Sequence, residues 1–305
     1  MISQSVKEAL QRFVPTENIK YGEMLKDHTT FRVGGEADAI VIVESVQQLQ
    51  GMLRYLPKVE IPYYVIGNGS NLLVGDKGYR GIIIKLAENM SNVTVVGNRV
   101  IAQAGASLAK VARAALDHGL TGLEFAAGIP GTVGGGVIMN AGAYDGEMKM
   151  VVDSVTVING EGELLTLDNA TMEFGYRTSV IKNQNFVVTE CTFLLQPGDK
   201  EEIKAKMDDF GARRREKQPL EYPSAGSTFK RPEGHFAGKL IMDAGLRGFT
   251  VGGAQVSEKH CGFVINTGDA TAADIKSLME KVQEEVYRQF SVRLEPEVIM
   301  LGEFS

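Results

Sequence analysis

The sequence is poor in the features that mark several large classes of protein. It has 305 residues and only two cysteines, Cys191 and Cys261. Their separation matches no metal-binding pattern and gives no support to a disulfide, which favours two buried or free thiols in a reducing compartment. No run reaches about 18 apolar residues, so no insertion into a membrane is expected. The N-terminal residues lack the pattern of a signal peptide, and we therefore expect a cytoplasmic protein.

An excess of basic residues is missing as well. The formal net charge is −6 at pH 7, and no basic half or basic tail exists, so nucleic acid is not an expected partner. The one basic cluster, Arg213–Arg215, lies beside Asp208, Asp209 and Glu216. Mixed charges of this kind are typical of a solvent-exposed helix face, and we interpret the cluster in that way.

The four histidines also exclude one class of site. None of them has partners at the spacing of metal ligands, so no metal site is predicted. His260, which lies between Ser257 and an apolar run, is the one histidine that we regard as a candidate ligand contact.

The order of strand and helix patterns predicts an α+β protein of three domains. Residues 1–89 carry short apolar strands and a helix that Ser45 would cap. Residues 90–198 carry two hairpin patterns, a helix that Ser107 would cap and one further strand. Residues 199–293 begin with a charged helix at 200–217 and end with an amphipathic helix at 272–290. The tail, 294–305, contains a final strand that we expect to return to the first domain.

Glycine is concentrated in two segments. Residues 128–144 carry six glycines between Gly128 and Gly142, and each interior glycine costs a helix or strand roughly 0.5–1 kcal/mol. We therefore predict a loop, and its apolar residues argue against a merely flexible linker. The second segment, Gly67–Asn71, directly follows a predicted strand at 63–66. Backbone N–H groups without side chains bind anions, so the two segments are suited to one diphosphate.

Other glycine-dependent motifs are incomplete. The run from Gly67 begins like a dinucleotide fingerprint but has Leu72 where the third glycine belongs, which disfavours a Rossmann domain. Gly238-Lys239-Leu240 lacks the glycine spacing and hydroxyl residue of a phosphate-binding P-loop. No Gly-x-Ser-x-Gly sequence is present, so the turn that carries the nucleophilic serine of a hydrolase triad is missing.

Three polar residues are candidates for chemistry, although each has an ordinary structural interpretation when taken alone. Ser227 lies in a serine- and glycine-rich turn beside the cations Lys230 and Arg231, which suits an anionic substrate but is also typical of a loop or cap. Arg177, in a polar loop, is equally typical of a surface arginine. Glu297, before an apolar strand, is equally typical of an exposed strand edge.

Taken together, these motifs resemble one family, the UDP-N-acetylenolpyruvoylglucosamine reductases, which are flavin enzymes of peptidoglycan precursor synthesis. Any single motif is weak, but the set spans nearly the whole chain in the right order. The short path from Arg177 to Ser224 resembles the compact second type of this enzyme, which lacks a substrate-covering tyrosine loop. The matching stretches are His28–Gly35, Tyr64–Leu73, Gly128–Tyr144, Gly175–Ser179, Ser224–Lys230 and Leu294–Val298.

The resemblance implies an FAD-binding module of the vanillyl-alcohol-oxidase (PCMH) type in two subdomains, together with an α+β substrate-binding domain. FAD would be held noncovalently, and both glycine segments would contact its diphosphate. The cofactor-binding residues that the resemblance implies are Gly67, Asn68, Gly69, Ser70, Asn71, Gly128, Pro130, Gly131, Gly135, Asn140, Gly142 and Ala143.

The reaction implied is a reduction in two stages. NADPH would deliver hydride to the flavin, and UDP-N-acetylglucosamine enolpyruvate would then accept hydride at its vinyl terminus. Arg177 would neutralise the charge that develops at the substrate carboxylate, and Glu297 would share a hydrogen bond with it. Ser227 would donate the proton to the α-carbon. The substrate-binding residues implied are Tyr176, Lys217, Lys230, Arg231 and His260.

Two alternatives stay open on the sequence. One is an FAD-dependent oxidase of the same fold that acts on a small alcohol or sugar. The other is a UDP-sugar-binding module without chemistry, although the presence of Arg177, Ser227 and Glu297 in one chain argues against it.

Overall fold

The computed structural model describes residues 2–86 and 88–304, and these form two compact units. The first unit comprises Met1–Tyr21, Ala39–Asn68 and Gly81–Arg214, and the second comprises Gly22–Asp38, Gly69–Arg80 and Arg215–Ser305. Each unit has its own cluster of buried apolar side chains. The three-domain division stays a prediction, and its outermost positions, residues 1 and 305, lie outside the described residues.

Several predicted helices are confirmed with their caps. Ser45 and Ser107 accept hydrogen bonds from the N–H groups of Gln48 and Lys110 and so begin two helices, as expected for capping serines. The α-helices of the described residues are α1 Gln4–Leu10, α2 Val46–Tyr55, α3 Leu108–Asp117, α4 Val133–Ile138, α5 Lys200–Lys217, α6 Ala237–Asp243 and α7 Ala272–Phe290.

The strands are short, and most pair with near neighbours in the chain. In order they are β1 Ile19–Met24, β2 Glu36–Val43, β3 Tyr63–Ile66, β4 Leu72–Val74, β5 Tyr79–Leu86, β6 Val93–Val96, β7 Arg99–Gln103, β8 Leu120–Thr121, β9 Gly142–Ala143, β10 Gly146–Glu147, β11 Val152–Ile158, β12 Leu164–Asp168, β13 Val187–Leu194, β14 Gln196–Pro197, β15 Thr250–Val251, β16 Ala254–Val256, β17 Val264–Asn266 and β18 Ile299–Leu301.

The core of the first unit lies on an antiparallel sheet of five strands in the order β12-β11-β13-β7-β6. Both predicted hairpins, β6–β7 and β11–β12, are part of it. A second sheet has the order β1-β2-β5-β3, and its strands β3 and β5 are parallel. Three boundaries between the two units fall within β1, β2 and β5, one follows Asn68, and one falls within α5 after Arg214. Helix α3 buries Leu108, Val111 and Ala115 in the first core.

One prediction of local structure is wrong: the glycine-rich segment 128–144 contains the helix α4. Thr132 caps this helix by accepting a hydrogen bond from the N–H group of Gly135. A Cβ on Gly134 would lie 3.2 Å from Cβ of Ala104, and one on Gly136 would lie 3.2 Å from Leu108. A Cβ at either position would therefore be in tight contact, and this close packing offsets the low helix propensity of glycine.

The second unit combines the three-stranded sheet β15-β16-β17 with α6 and α7. Helix α7 begins with a capping box between Thr271 and Asp274. Its first N–H groups, those of Ala272 and Ala273, donate to the carboxylate of Asp76 at 2.8 and 2.9 Å. The final strand is shorter than predicted, since β18 covers only Ile299–Leu301, and it pairs in parallel with β4.

A buried carboxylate stabilises the connection between β8 and the second glycine segment. Glu124 is 3% exposed and accepts hydrogen bonds from the hydroxyl of Thr121 and, at 2.8 Å, from the N–H group of Gly122. Burial alone would raise the pKa of this carboxyl, but these hydrogen bonds outweigh it and the pKa lies below its ordinary value. The charged form is therefore the one that the fold stabilises.

The variant Glu124→Gln should lower the free energy of unfolding at neutral pH by about 1–3 kcal/mol, because one of the two donors then faces an amide group. A carboxyl whose folded pKa is lowered stabilises the protein above its unfolded pKa, and this contribution disappears as the pH falls through the folded pKa. The difference from wild type should therefore shrink on acidification below about pH 4. Urea unfolding at several pH values measures it, and a difference independent of pH would contradict this account.

Among the described residues, no helix combines the length and apolar character that crossing a membrane requires. Cys191 and Cys261 are both buried free thiols.

Candidate functional site

The first glycine segment, Gly67–Asn71, joins β3 to β4 and carries unused hydrogen-bond donors. Among the described residues, no atom accepts a hydrogen bond from the N–H groups of Asn68–Asn71. Gly69 has φ +61°, and a Cβ there would overlap the carbonyl oxygen of His28. The N–H group of Thr30 donates to Gly69, whereas the buried hydroxyl of Thr30 has no partner among the described residues. Unused donors and an unpaired buried hydroxyl suit a polar ligand at this loop.

The two glycine segments meet within the first unit. A Cβ on Gly67 would overlap the side chain of Thr132, the residue that caps α4. A side chain at position 67 would therefore separate the two segments. The proximity of Gly67 and Thr132 supports the prediction that both segments serve one ligand.

Gly135 differs from its two neighbours in α4. It is exposed, and the nearest atom to a Cβ there would be Oγ1 of Thr132 at 3.7 Å. Packing therefore explains Gly134 and Gly136 but gives no reason for glycine at position 135. A glycine on an exposed helix face is favoured where a ligand must approach the backbone. Gly135 therefore leaves the backbone of α4 open to a ligand.

The other predicted cofactor residues of the second segment lie on both sides of α4. Pro130 is exposed, and the carbonyl of Gly131 accepts a hydrogen bond from Leu108 at 3.0 Å. Gly142 and Ala143 form β9, and a Cβ on Gly142 would lie 2.7 Å from the carbonyl oxygen of Gly146. The hairpin β9–β10 therefore requires glycine at position 142.

Arg214 corrects the interpretation of the basic cluster. It is half-buried, and Nη1 would lie 3.5 Å from a Cβ on Gly128. Burial lowers the pKa of its guanidinium from the ordinary value. Arg213, by contrast, is exposed and pairs with Asp209 at 2.8 Å. The sequence did contain a signal for this difference, because Arg214 continues the helical face of buried Ile203 and of Met207 and Phe210, the last two of which pack on the core.

Asn140 lies at the C-terminal end of α4 and is fully buried. Its Nδ2 donates to the carbonyl of Gly175 at 3.0 Å, and its Oδ1 accepts from the N–H group of Lys149 at 2.9 Å. The residue has φ +42°, a conformation that asparagine tolerates better than most side chains. The amide group therefore connects the end of α4 to the backbone at Lys149 and to the backbone at Gly175.

Arg177 is held in an unusual backbone conformation. It lies in a tight turn between Gly175 and Thr178, which bond to each other in both directions, and has φ +55°. Its Nη2 donates to the carbonyl of Gly142 at 3.2 Å, and its guanidinium lies 5.1 Å from the ring of Tyr176. Left-handed backbone at a non-glycine residue is strained, and such strain is concentrated at functional sites. Tyr176 itself is 52% exposed.

The second unit brings Ser227 and Glu297 close together. The N–H group of Glu297 donates to the carbonyl of Thr228 at 2.9 Å, and Phe229 pairs with Pro296. Ser227 is exposed and follows Gly226, which has φ +77°. Buried Thr228 anchors the turn, since its N–H group and its Oγ1 both bond to the segment Gly262–Val264. The serine hydroxyl is therefore accessible on a fixed backbone.

The first glycine segment reaches Glu297 directly. In the second unit, Nδ2 of Asn71 donates to the carbonyl of Glu297 at 3.1 Å, and the carbonyl of Asn71 accepts from Ile299 at 2.9 Å. Arg177 belongs to the first unit, whereas Ser227 and Glu297 belong to the second.

The predicted substrate-binding residues of the second unit include three cations. Lys217 is exposed at the end of α5, and Nζ of Lys230 lies 3.0 Å from the carboxylate of Glu295. The guanidinium of Arg231 lies 3.9 Å from the ring of Phe236. Among the described residues, no cluster of three or more His, Cys, Asp or Glu side chains could hold a metal ion.

His260 is held by three contacts of its own loop. Its Nδ1 accepts from the N–H group of Gly262 at 3.1 Å, its own N–H group donates to Ser257, and its ring meets that of Phe263 edge-on. Burial lowers the pKa of the imidazole. His260 is therefore neutral at pH 7, with its proton on Nε2.

Comparison with known proteins agrees with this geometry. Residues 218–301 match the C-terminal domain of UDP-N-acetylenolpyruvoylglucosamine reductase, and residues 37–168 match an FAD binding domain. The chain is 48% identical to the UDP-N-acetylenolpyruvoylglucosamine reductase of Caldanaerobacter subterraneus subsp. tengcongensis, over 99% of this chain and 100% of that protein. It is 49% identical to the reductase of Agathobacter rectalis, over the same shares.

Solved structures give the same result. The crystal structure of UDP-N-acetylenolpyruvylglucosamine reductase from Thermus caldophilus has a TM-score of 0.80 and 37% identity, covering 92% of this chain and 97% of that one. Phl p 4.0202, a glucose dehydrogenase, has a TM-score of 0.52 at 12% identity, covering 96% of this chain and 61% of that one, so it shares the fold alone. The chain therefore belongs to the family of UDP-N-acetylenolpyruvoylglucosamine reductases, and it is an oxidoreductase whose α+β fold contains an FAD-binding module of the vanillyl-alcohol-oxidase type.

Proposed function

We propose that the protein reduces UDP-N-acetylglucosamine enolpyruvate to UDP-N-acetylmuramate with NADPH as reductant, a step in the synthesis of peptidoglycan precursors. The observation that carries the proposal is the match to named reductases over their whole length at close to half identity. The presence of Arg177, Ser227 and Glu297 together with both glycine segments supports it further.

FAD would be held noncovalently by backbone groups of the two glycine segments. The N–H groups of Asn68–Asn71 and the exposed backbone at Gly135 are the donors and the approach surface that the proposal assigns to it. When bound, FAD would take a hydride from NADPH and supply it to the vinyl terminus of the substrate. The half-buried guanidinium of Arg214 beside Gly128 adds a positive charge that favours a diphosphate.

Arg177 and Glu297 are assigned to the substrate carboxylate. Addition of hydride to the vinyl terminus leaves an electron pair on the α-carbon, which the neighbouring carboxylate delocalises as an enolate. Arg177 would stabilise this charge, and its turn already fixes the backbone before substrate binds. Positioned charges of this kind stabilise a transition state without reorganisation. Glu297 would share a hydrogen bond at the same carboxylate.

Ser227 is assigned as the proton donor. Its O–H bond breaks as a C–H bond forms at the α-carbon, so one hydride and one proton together saturate the double bond. The serine alkoxide then takes a proton from water, which the exposed position of Ser227 permits. A positioned acid of this kind contributes about 10²–10⁴ in rate.

The nucleotide part of the substrate would meet the cations of the second unit. We assign Lys217, Lys230 and Arg231 to the diphosphate, because ammonium and guanidinium groups pair with phosphate oxygens. His260 would offer Nε2–H as a neutral donor, consistent with its lowered pKa. Tyr176, which is half-exposed beside Arg177, would contact the sugar.

Ser227→Ala separates the two stages of the reaction. Protein purified with FAD should show flavin absorbance that NADPH bleaches at the wild-type rate in this variant, because Ser227 has no part in that step. Transfer to the enolpyruvyl sugar should slow by about 10²–10⁴. Anaerobic stopped-flow spectroscopy measures both steps. Equal loss of both, or of neither, contradicts the role of Ser227, and rapid reoxidation by air without substrate would favour an oxidase instead.

Two neighbouring alanine substitutions test the cofactor site. Gly135→Ala should stabilise the FAD-free protein by up to about 1 kcal/mol, because alanine favours a helix, yet raise the Kd for FAD about tenfold or more by blocking approach to the backbone. Gly134→Ala, whose Cβ would press on Ala104, should instead cost about 1–3 kcal/mol of folding stability. Thermal unfolding and flavin fluorescence titration measure the two effects. An unchanged FAD affinity in Gly135→Ala would overturn the assignment.

A further inference from the structure

Each glycine segment contributes an asparagine whose side chain bonds to the backbone beside a residue that we assign to the substrate carboxylate. In the first unit, Nδ2 of Asn140 donates to the carbonyl of Gly175, which begins the turn of Arg177. In the second unit, Nδ2 of Asn71 donates to the carbonyl of Glu297 itself. The same arrangement therefore occurs twice, on separate parts of the chain.

On the Arg177 side, the bond from Asn140 is accompanied by two others between residues 175–179 and the second glycine segment. The hydroxyl of Ser179 donates to the carbonyl of Ile138 at 2.9 Å, and Nη2 of Arg177 donates to Gly142 at 3.2 Å. Asn140 is fully buried and Ser179 is 2% exposed, so water cannot replace either bond at no cost. A strained turn persists only where its surroundings fix it, and here the glycine segment does so.

On the Glu297 side, Asn71 completes the hydrogen bonding of the backbone. The N–H group of Glu297 donates to Thr228, and its carbonyl accepts from Asn71. The bond from Ile299 to the carbonyl of Asn71, at 2.9 Å, fixes the next part of the same strand. Both main-chain polar groups of Glu297 are thus held, one of them by the glycine segment.

We propose that Asn71 and Asn140 are positioning residues for recognition of the substrate carboxylate, acting through the backbone at Glu297 and Arg177. The inference rests on the proposed function of that pair. It gives the glycine segments a second task, because the loops that offer their N–H groups to the cofactor also set the geometry of the residues that receive the carboxylate. Ser179 shares this task with Asn140.

The test compares two ligands that differ in the enolpyruvyl group, which carries the carboxylate. Oxidised, FAD-loaded protein without NADPH is titrated with UDP-N-acetylglucosamine and with its enolpyruvyl ether. The Kd of the first ligand divided by the Kd of the second measures recognition of the enolpyruvyl group, and the fall of this ratio in Arg177→Ala measures the part that depends on the carboxylate. Three variants should each lower the ratio at least about tenfold: Asn71→Ala, Ser179→Ala and Asn140→Gly, the last of which keeps the left-handed backbone. Reduction of the enolpyruvyl group should slow by up to about 10²-fold in each of them.

A control variant removes a comparable bond elsewhere in the first unit. Buried Thr189 donates to the carbonyl of Thr156 at 3.1 Å. Thr189→Val should therefore match the loss of stability of Ser179→Ala but keep the wild-type ratio. If Asn140→Gly does not fold, Ser179→Ala against Thr189→Val decides the matter for the first unit.

The outcomes distinguish the inference from the function on which it rests. If Arg177→Ala keeps the wild-type ratio, the role of Arg177 is wrong and the inference falls with it. If the Kd ratio falls in Arg177→Ala but stays at the wild-type value in the Asn71, Asn140 and Ser179 variants, the role of Arg177 is supported and the positioning role of the asparagines is overturned. The same holds if these variants lose only affinity for FAD.

Discussion

The fold of the first unit depends on a contact that leaves no room for a side chain, that of Gly67 with Thr132. Thr132 both caps α4 and touches the loop that follows β3. The two glycine segments are therefore adjacent because one of them has no Cβ at this point. Loops so close together would normally bury backbone polar groups without partners, which is costly. A ligand that accepts hydrogen bonds from these groups removes this cost. The close approach of the two segments is therefore consistent with the proposed cofactor.

Strain and polar burial occur together around the glycine segments. Asn140 and Arg177 both have left-handed backbone, and the bond from Asn140 to Gly175 connects their neighbourhoods. Asn140 is held by bonds of its fully buried amide, and the turn of Arg177 is closed by two bonds between Gly175 and Thr178, so the surrounding structure supports both conformations. Such an arrangement fixes a guanidinium more firmly than an ordinary surface loop would, which suits a residue assigned to developing charge.

The sequence predicted much of this fold because several elements are specified locally. Helix α7 combines a threonine cap with a regular apolar stripe, and its bounds at 272–290 agree with the structure. The helix within the second glycine segment was not predicted, since only contacts with Ala104 and Leu108 justify its glycines. The half-burial of Arg214 was missed because its charged neighbours outweighed the helical face that it continues. The tasks of Asn71 and Asn140 depend on partners far away in the chain, which no local pattern reports.

The carboxylate of Asp76 that caps α7 lies 196 residues before the N–H group of Ala272 that it binds. The C-terminal strand β18 likewise pairs with β4, which lies more than 200 residues earlier in the sequence. During synthesis, Asp76 and β4 therefore lack these C-terminal partners until nearly all of the polypeptide has emerged. Closing such a long chain segment is entropically costly and slows folding. An incomplete nascent chain would thus leave the edge of β4 without the strand that covers it in the folded protein.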